Sequence, residues 1–192
     1  MIKVAIISGS TRPGRKSQAV AEWVHAIAQK RGDADYQIVD IATFNLPLLD
    51  EPVPPSLGKY SKPHTLAWAK AIAPFDAFVF VTPEYNHGPS AALKNAIDYL
   101  YHEWNNKAAG FVSYGSTGGA RAVEHLRGIM AEVQVADVRA HVSMSMYTDF
   151  ENWSVLKPDP RHQQQLGVML DQLVAWSRAM QGVRADKKAI AA

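Results

Sequence analysis

Short apolar segments alternate with longer amphipathic ones along most of the chain, and this alternation restricts the possible folds more than any other feature. Residues 77–82 are apolar at almost every position, as expected of a parallel strand that is covered on both faces. The strand candidates are 3–8, 36–41, 77–82, 108–113 and 138–144, and the helix candidates are 18–30, 65–73, 91–102, 120–133 and 161–181. Five successive strand–helix units predict an α/β domain, a doubly wound five-stranded parallel sheet with helices on both faces.

The length of 192 residues is sufficient for one well-buried domain. We expect a single domain over residues 1–182 and a flexible tail over 183–192, where the apolar periodicity ends. Two long connections, 43–63 and 147–160, interrupt the alternation and are candidates for lids, subunit contacts or ordinary surface cover.

The composition argues against several classes of protein, namely nucleic-acid-binding, membrane-spanning, secreted and metal-binding proteins. The net charge is +2 and the basic residues are dispersed, so nucleic acid is not expected as a partner. There is no cysteine, no apolar segment approaches the roughly 20 residues that span a bilayer, and the first strand leaves no room for a secretory signal. The histidines have no metal-ligand spacing. We therefore expect a cytoplasmic protein without a membrane segment or a metal site.

The loop after the first strand, residues 9–18 (the first loop), has the composition of an anion-binding turn. Gly9 and Gly14 permit a tight backbone, and the N–H groups of the following helix favour a bound anion. Polar and basic side chains that could contact the anion are Ser10, Arg12, Lys16, Ser17 and Gln18. A plain turn capped by Ser17 is the alternative, but the position after the first strand of such a sheet favours phosphate binding.

The first loop also lies one residue away from the P-loop pattern, in which lysine directly follows the second glycine. Arg15 shifts Lys16 and Ser17 out of that register. The strand that ends at Pro83 lacks the acidic residue that would hold magnesium. A phosphotransferase is thus disfavoured and remains an alternative.

Two further loops follow the third and fourth strands: residues 83–90 (the second loop) and 113–121 (the third loop). In a doubly wound sheet such loops border the crevice where ligands bind. Asn86 offers a donor and an acceptor suited to the edge of a flat polar ring, and Tyr85 could stack or line the pocket. The glycines of the third loop, among them Gly115 and Gly118, suggest backbone lying against the same ligand.

These motifs resemble the NADPH-dependent FMN reductase family of flavodoxin-like proteins, which includes quinone, azo-dye and chromate reductases. The resemblance rests on Gly9-Ser10-Thr11-Arg12 with Ser17-Gln18, on Pro83-Glu84-Tyr85-Asn86, and on Tyr114-Gly115 with Gly118-Gly119-x-Arg121. In order and spacing it covers residues 1–142. The Pro-Glu-Tyr-Asn segment after a buried strand is its most specific element.

The resemblance implies bound FMN as the cofactor and NADPH or NADH as the co-substrate. It implies that Ser10, Arg12, Ser17 and Gln18 hold the FMN phosphate, that Pro83, Glu84, Tyr85 and Asn86 border the isoalloxazine, and that Tyr114 and Gly115 lie near its other side. Gly118 is expected to bind the cofactor with the other glycines of the third loop. Lys16 and Arg15 either join the phosphate site or meet the nicotinamide nucleotide. No catalytic side chain is implied, because the flavin carries the redox step.

The electron acceptor implied is a small molecule such as a quinone, an azo compound, free flavin or a metal oxyanion. A homodimer or homotetramer is the implied assembly. A flavodoxin-type electron carrier and a flavin sensor remain alternatives, although such carriers are usually strongly acidic and the isoelectric point here is near 8.8.

Overall fold

Five parallel strands form the central sheet, described from a computed structural model that covers the backbone of residues 1–190 and the side chains of residues 1–186. The strands are β1 (Ile2–Ser8), β2 (Ala34–Asp40), β3 (Ala77–Pro83), β4 (Lys107–Gly115) and β5 (Val135–Ser145). Their order in the sheet is β2-β1-β3-β4-β5, and every neighbouring pair is parallel. This arrangement confirms the predicted doubly wound, flavodoxin-like sheet.

Helices cover both faces of the sheet, as predicted. They are α1 (Ser17–Ala28), α2 (Pro63–Ile72), α3 (Ala91–Asp98), α4 (Ala120–Glu132) and α5 (Arg161–Ile190). Helices α1 and α5 pack on one face, and α2, α3 and α4 pack on the other. Alternate residues of β3 enter the two cores: Val79 and Val81 face α1 and α5, whereas Phe78 and Phe80 face the other layer. Burial on both faces explains the continuous apolar runs.

Helix α3 is shorter than its apolar pattern predicts. The pattern extends to residue 102, whereas the helix ends at Asp98. Tyr99, Leu100 and Trp104 are buried all the same, because the chain folds into turns that keep their side chains in the core. The Ile97 carbonyl accepts from the Trp104 indole at 3.0 Å and from Leu100 N at 3.2 Å, so this end of the helix is satisfied without a further turn.

Helix α5 is longer than the sequence predicts. It continues to Ile190, so the backbone is helical over most of the expected tail, and residues 191–192 lie outside the described residues. Arg184 donates to the Asn106 carbonyl at 2.6 Å and pairs with Asp76 at 2.5 Å, which ties this part of the helix to the start of β4. Although α5 has 30 residues, neither it nor any other helix among the described residues is long and apolar enough to span a membrane.

The connection 147–160 contains an unpredicted antiparallel hairpin, formed by β6 (Phe150–Glu151) and β7 (Val155–Leu156). Two residues per strand are too few for a period-2 pattern to be visible in the sequence. Phe150 is buried against the Tyr114 ring, with 5.8 Å between the ring centroids, so the hairpin is anchored beside the end of β4.

Candidate functional site

The carboxyl ends of β1, β3 and β4 border a cleft of about 430 Å³. It lies at the point where strand order reverses, which is where ligands bind in doubly wound sheets. Among the predicted site residues the cleft brings together Arg12, Lys16, Pro83, Glu84, Tyr85, Tyr114 and Gly115. The Ser90 hydroxyl donates to the Gly9 carbonyl at 2.5 Å and accepts from Leu93 N at 3.1 Å, so one side chain caps α3 and joins the first and second loops.

The first loop delivers the amino end of α1 to the cleft. The cap position is Lys16 rather than Ser17, and no side chain among the described residues caps the helix. The first-turn N–H groups of a helix have no partner within the helix. An anion at this end is therefore favoured both by hydrogen bonding and by the helix dipole.

Two of the side chains predicted to bind the phosphate, Ser10 and Ser17, already have hydrogen-bond partners within the protein. The Ser17 hydroxyl accepts from the Ser8 hydroxyl at 2.9 Å, and both groups are buried. The Ser10 hydroxyl lies 3.2 Å from the Tyr85 hydroxyl, and Arg12 N approaches it at 3.4 Å. Neither serine is among the residues that line the cleft, and both instead fix the loop that borders it.

The side chains of Arg12 and Arg15 differ in exposure and in ion pairing. Arg12 is exposed, and its guanidinium lies 5.8 Å from the centre of the Tyr85 ring. Arg15 pairs with Asp40 at the end of β2, with 2.5 Å between Nη2 and Oδ2. Arg12 is thus free to reach a ligand, whereas Asp40 directs Arg15.

Three buried polar atoms at the first loop and the adjoining end of β4 have no hydrogen-bond partner among the described residues: Tyr114 Oη, Arg15 Nε and Gln18 Oε1. Burial raises the pKa of Tyr114, and the nearby Ser17 hydroxyl and the Ser17 and Lys16 backbone oppose that rise only in part. Buried polar groups are normally satisfied. Two donors beside a helix amino end fit an anionic group that accepts from both, so the residues present fit a phosphate.

The second loop turns sharply after Tyr85. Tyr85 and Gly88 exchange backbone hydrogen bonds of 2.9 and 3.1 Å, and Asn86 and His87 between them have φ of 48° and 74°. Both are exposed at the tip of the turn. Asn86 does not line the cleft in this structure, in contrast to the neighbouring Tyr85 and Pro83.

Glu84 is engaged with another loop. Its side chain is only 4% exposed and accepts from Arg121 Nε at 2.6 Å and from Arg121 N at 3.2 Å. Burial raises the pKa of Glu84, but the hydrogen bonds and charge of Arg121 outweigh it and the pKa is lowered overall. Glu84 is thus an ionised link between the second and third loops.

Two glycines that the sequence assigns to ligand approach are required by protein contacts. A Cβ on Gly9 would lie 2.6 Å from the Val81 carbonyl oxygen, and one on Gly118 would lie 2.2 Å from Ser143 Oγ. The Gly118 carbonyl also accepts from Ser113 at 2.7 Å and from Ser143 at 2.8 Å. Gly118 therefore holds the third loop against Ser113 and Ser143, and it does not line the cleft.

Met146 and Trp153 line the cleft but were not predicted as site residues. The aromatic content of 147–160 was the available signal. Only the packing of the hairpin beside β4 shows which of its aromatic residues borders the cleft.

The family model described as NADPH-dependent FMN reductase matches residues 2–149. An NAD(P)H-dependent FMN reductase of Nectria sp. is 39% identical over 158 residues, covering 78% of this chain and 79% of the relative. A quinone reductase of Escherichia coli is 35% identical over 136 residues, covering 67% of this chain and 69% of the relative.

Among solved structures, the fold is similar to that of FerB, a flavoenzyme NAD(P)H:(acceptor) oxidoreductase from Paracoccus denitrificans. The TM-score is 0.72 at 20% identity, covering 94% of this chain and 99% of that one. At this identity the likeness concerns the fold alone. The match of the family model over residues 2–149, with the relative from Nectria, shows that the chain belongs to the NADPH-dependent FMN reductase family.

Proposed function

We propose that this protein is an FMN-dependent NAD(P)H oxidoreductase that transfers electrons to a small-molecule acceptor of the quinone class. The observation that carries the proposal is the cleft at the strand-order reversal. There the amino end of α1 meets the Tyr114 hydroxyl, and neither has a side-chain partner among the described residues. Membership of the family and the quinone reductase relative support the reaction type and the acceptor class. FMN, when bound, supplies the hydride-accepting and electron-donating chemistry between the two substrates.

The first loop would hold the FMN phosphate. The first-turn N–H groups of α1 and the exposed Arg12 supply the positive end of this site, and the Tyr114 hydroxyl, which lies near the Ser17 and Lys16 backbone, donates beside them. Ser10, Ser17 and Gln18 support the loop, and Ser17 does so through its buried contact with Ser8. Charge-assisted bonds of this kind favour the dianionic phosphate over neutral ligands.

Pro83, Tyr85 and Gly115 would border the isoalloxazine, because they line the cleft next to the first loop. The Glu84–Arg121 link keeps the second and third loops at a fixed separation. The exposed amide of Asn86 can donate and accept at the ring edge once the ring is seated. In this arrangement the protein binds and orients, and no side chain forms a bond to the substrate.

We further propose a single catalytic domain, a cytoplasmic location and a homodimer or homotetramer. The absence of cysteine from the sequence supports a reducing compartment. Large apolar side chains are exposed in the connection 43–63, where Leu48 is 81% and Leu57 is 59% accessible. Such exposure is typical of a surface that another subunit covers.

The test is an anaerobic visible spectrum of FMN-loaded, desalted protein before and after one equivalent of NADPH, repeated with NADH. We expect the flavin band to stay with the protein and to bleach within seconds with one or both donors, and then to recover when a benzoquinone is added. The control is FMN alone carried through the same column and mixed with the same donors. Flavin that is retained but bleached by neither donor would overturn the proposal in favour of a carrier or sensor, and a protein that retains no flavin would overturn it altogether.

A further inference from the structure

The hairpin tip places a tryptophan where glycine is favoured. Ser154 N donates to the Glu151 carbonyl at 3.0 Å, and the two residues between them, Asn152 and Trp153, have φ of 50° and 56°. Two-residue turns with positive φ at both positions favour Asn followed by Gly. A bulky residue in this region is strained, and such strain is a starting point for a functional hypothesis.

The base of the hairpin is firmly held. The Asp149 carboxylate is 1% exposed and accepts from Ser145 N at 2.8 Å, from Asp159 N at 2.9 Å and from the His162 ring at 3.0 Å. Lys157 N donates to the Asp149 carbonyl at 2.8 Å. The position of the tip is therefore set by a buried network and not by a loose loop.

At the tip, Trp153 lines the cleft while 57% of its surface is exposed. The Tyr147 ring contacts it edge-on, with 4.8 Å between the ring centroids. The next residue, Ser154, accepts from Lys16 Nζ at 3.4 Å. A flat aromatic surface thus lies beside a cation of the first loop.

The three cations of the first loop have different partners. Arg12 faces the cleft and Arg15 is directed by Asp40, whereas Lys16 is turned toward the hairpin. A flat ring next to a negative charge is the chemistry of a nucleotide, and a neutral quinone lacks the charge. The hairpin also lies beyond residue 149, where the match to the family model ends.

We propose that the hairpin tip binds the adenosine end of the nicotinamide dinucleotide, with the adenine stacked on Trp153 and an adjacent phosphate paired with Lys16. This inference rests on the proposed function, because it assigns a subsite for the donor of that reaction. It gives Lys16 a role at the donor rather than at the FMN phosphate.

The test uses adenosine 5′-diphosphate, a redox-inactive fragment that NADPH and NADH share, titrated calorimetrically into oxidised FMN-loaded protein. Trp153→Phe keeps a ring and should bind within about twofold of the unmodified protein. Trp153→Gly removes the ring and should weaken binding by about tenfold, the order expected for loss of a base–aromatic stack. Glycine relieves the strain at this φ, which offsets the loss of the Tyr147 ring contact, so Trp153→Gly should remain folded. Its melting temperature is measured, so that loss of binding is distinguished from unfolding.

The matched control is Trp176→Ala, which removes another exposed tryptophan, located on α5 and outside the cleft. It should leave fragment affinity unchanged. Retained FMN and sedimentation mass are measured on every sample.

The inference would be overturned by no binding of the fragment to the unmodified protein, by equal affinity in Trp153→Gly, or by loss of FMN from Trp153→Gly. A raised KM for benzoquinone with unchanged fragment affinity would assign Trp153 to the acceptor instead, and so would also overturn it. Failure of the proposed function is seen separately, because unmodified FMN-loaded protein would then not be bleached by either donor.

Discussion

At the scale of single residues, the polar groups of the site differ in whether they already have a hydrogen-bond partner within the protein. The Ser17 hydroxyl and the Glu84 carboxylate have partners within the protein, whereas the Tyr114 hydroxyl is buried without one among the described residues. A buried hydroxyl without a partner costs about 1–3 kcal/mol, and a partner on a ligand recovers that cost on binding. We therefore expect the Tyr114 hydroxyl to destabilise the FMN-free protein and to strengthen the binding of FMN.

Replacement of Tyr114 by Phe should therefore have opposite effects on stability and binding. We expect the free energy of unfolding of FMN-free protein to rise by about 1 kcal/mol, because an unsatisfied hydroxyl is removed. We expect the FMN dissociation constant to rise about tenfold, because the proposed bond to the phosphate is lost. Urea unfolding and fluorescence titration with FMN measure the two quantities.

Tyr36→Phe is the matched control for that experiment. The Tyr36 hydroxyl donates to Asp33 at 2.8 Å, far from the cleft, so its removal should destabilise the protein and leave FMN affinity unchanged. If Tyr114→Phe behaved like this control, the hydroxyl would have a partner in the protein and its role at the phosphate would be wrong.

At the scale of elements, the hairpin depends on a carboxylate at its base. Asp149 accepts from the backbone on both sides of the connection and from His162 of α5. Burial raises the pKa of Asp149, but the N–H groups of Asp159 and Ser145, together with His162, outweigh that effect, so the pKa is lowered. The network is thus stronger when Asp149 is ionised.

Asp149→Asn should lower the free energy of unfolding by about 1.5–3 kcal/mol at pH 7, since bonds to a charged acceptor are replaced by weaker ones. A lowered pKa contributes stability above the unfolded value of about 3.9, and this contribution is lost as the pH falls through the folded value. Denaturant unfolding between pH 7 and pH 2.5 should therefore show a smaller acid loss in the variant. Asp171→Asn, at an exposed position on α5, should change the free energy by less than about 1 kcal/mol, and an equally small effect at Asp149 would contradict the role of the network.

At the scale of the whole molecule, a sheet covered on both faces leaves little room for charge. Lys107 begins β4, is 5% exposed and donates to the Ala73 carbonyl at 3.0 Å. Burial is the main cause that lowers the pKa of Lys107 to about 8, and the Arg184 charge adds to it. Burying this ammonium therefore costs stability at neutral pH.

Lys107→Met should raise the free energy of unfolding at pH 7 by about 1–2 kcal/mol. The unfolded lysine has a pKa of about 10.4, so between pH 8 and that value the unfolded chain holds a proton that the folded chain has released. The unmodified protein should accordingly gain stability relative to the variant as the pH rises from 8 to 10. Lys70→Met, at an exposed position of α2, supplies the control and should show no such pH dependence. A constant difference between unmodified protein and Lys107→Met across this interval would contradict the prediction.

The sequence alone determined the sheet, its helical cover and the loops that meet at its carboxyl edge. These follow from local hydrophobic periodicity, which β3 and α1 express over a few neighbouring residues. Periodicity does not predict the exact ends of α3 and α5. These ends depend on side-chain hydrogen bonds outside the helical pattern: Trp104 donates to the Ile97 carbonyl, and Arg184 donates to the Asn106 carbonyl.

Only the tertiary structure decided which of the predicted site residues line the cleft. The Glu84–Arg121 link spans 37 positions, and the Lys16–Ser154 contact spans 138. Periodicity carries no information about such pairs, since they depend on how loops from different strands are packed. The sequence therefore determined where the cleft lies and what kind of ligand it suits, whereas three-dimensional packing decided that Glu84 and Ser17 stabilise its walls and that Trp153 lines it.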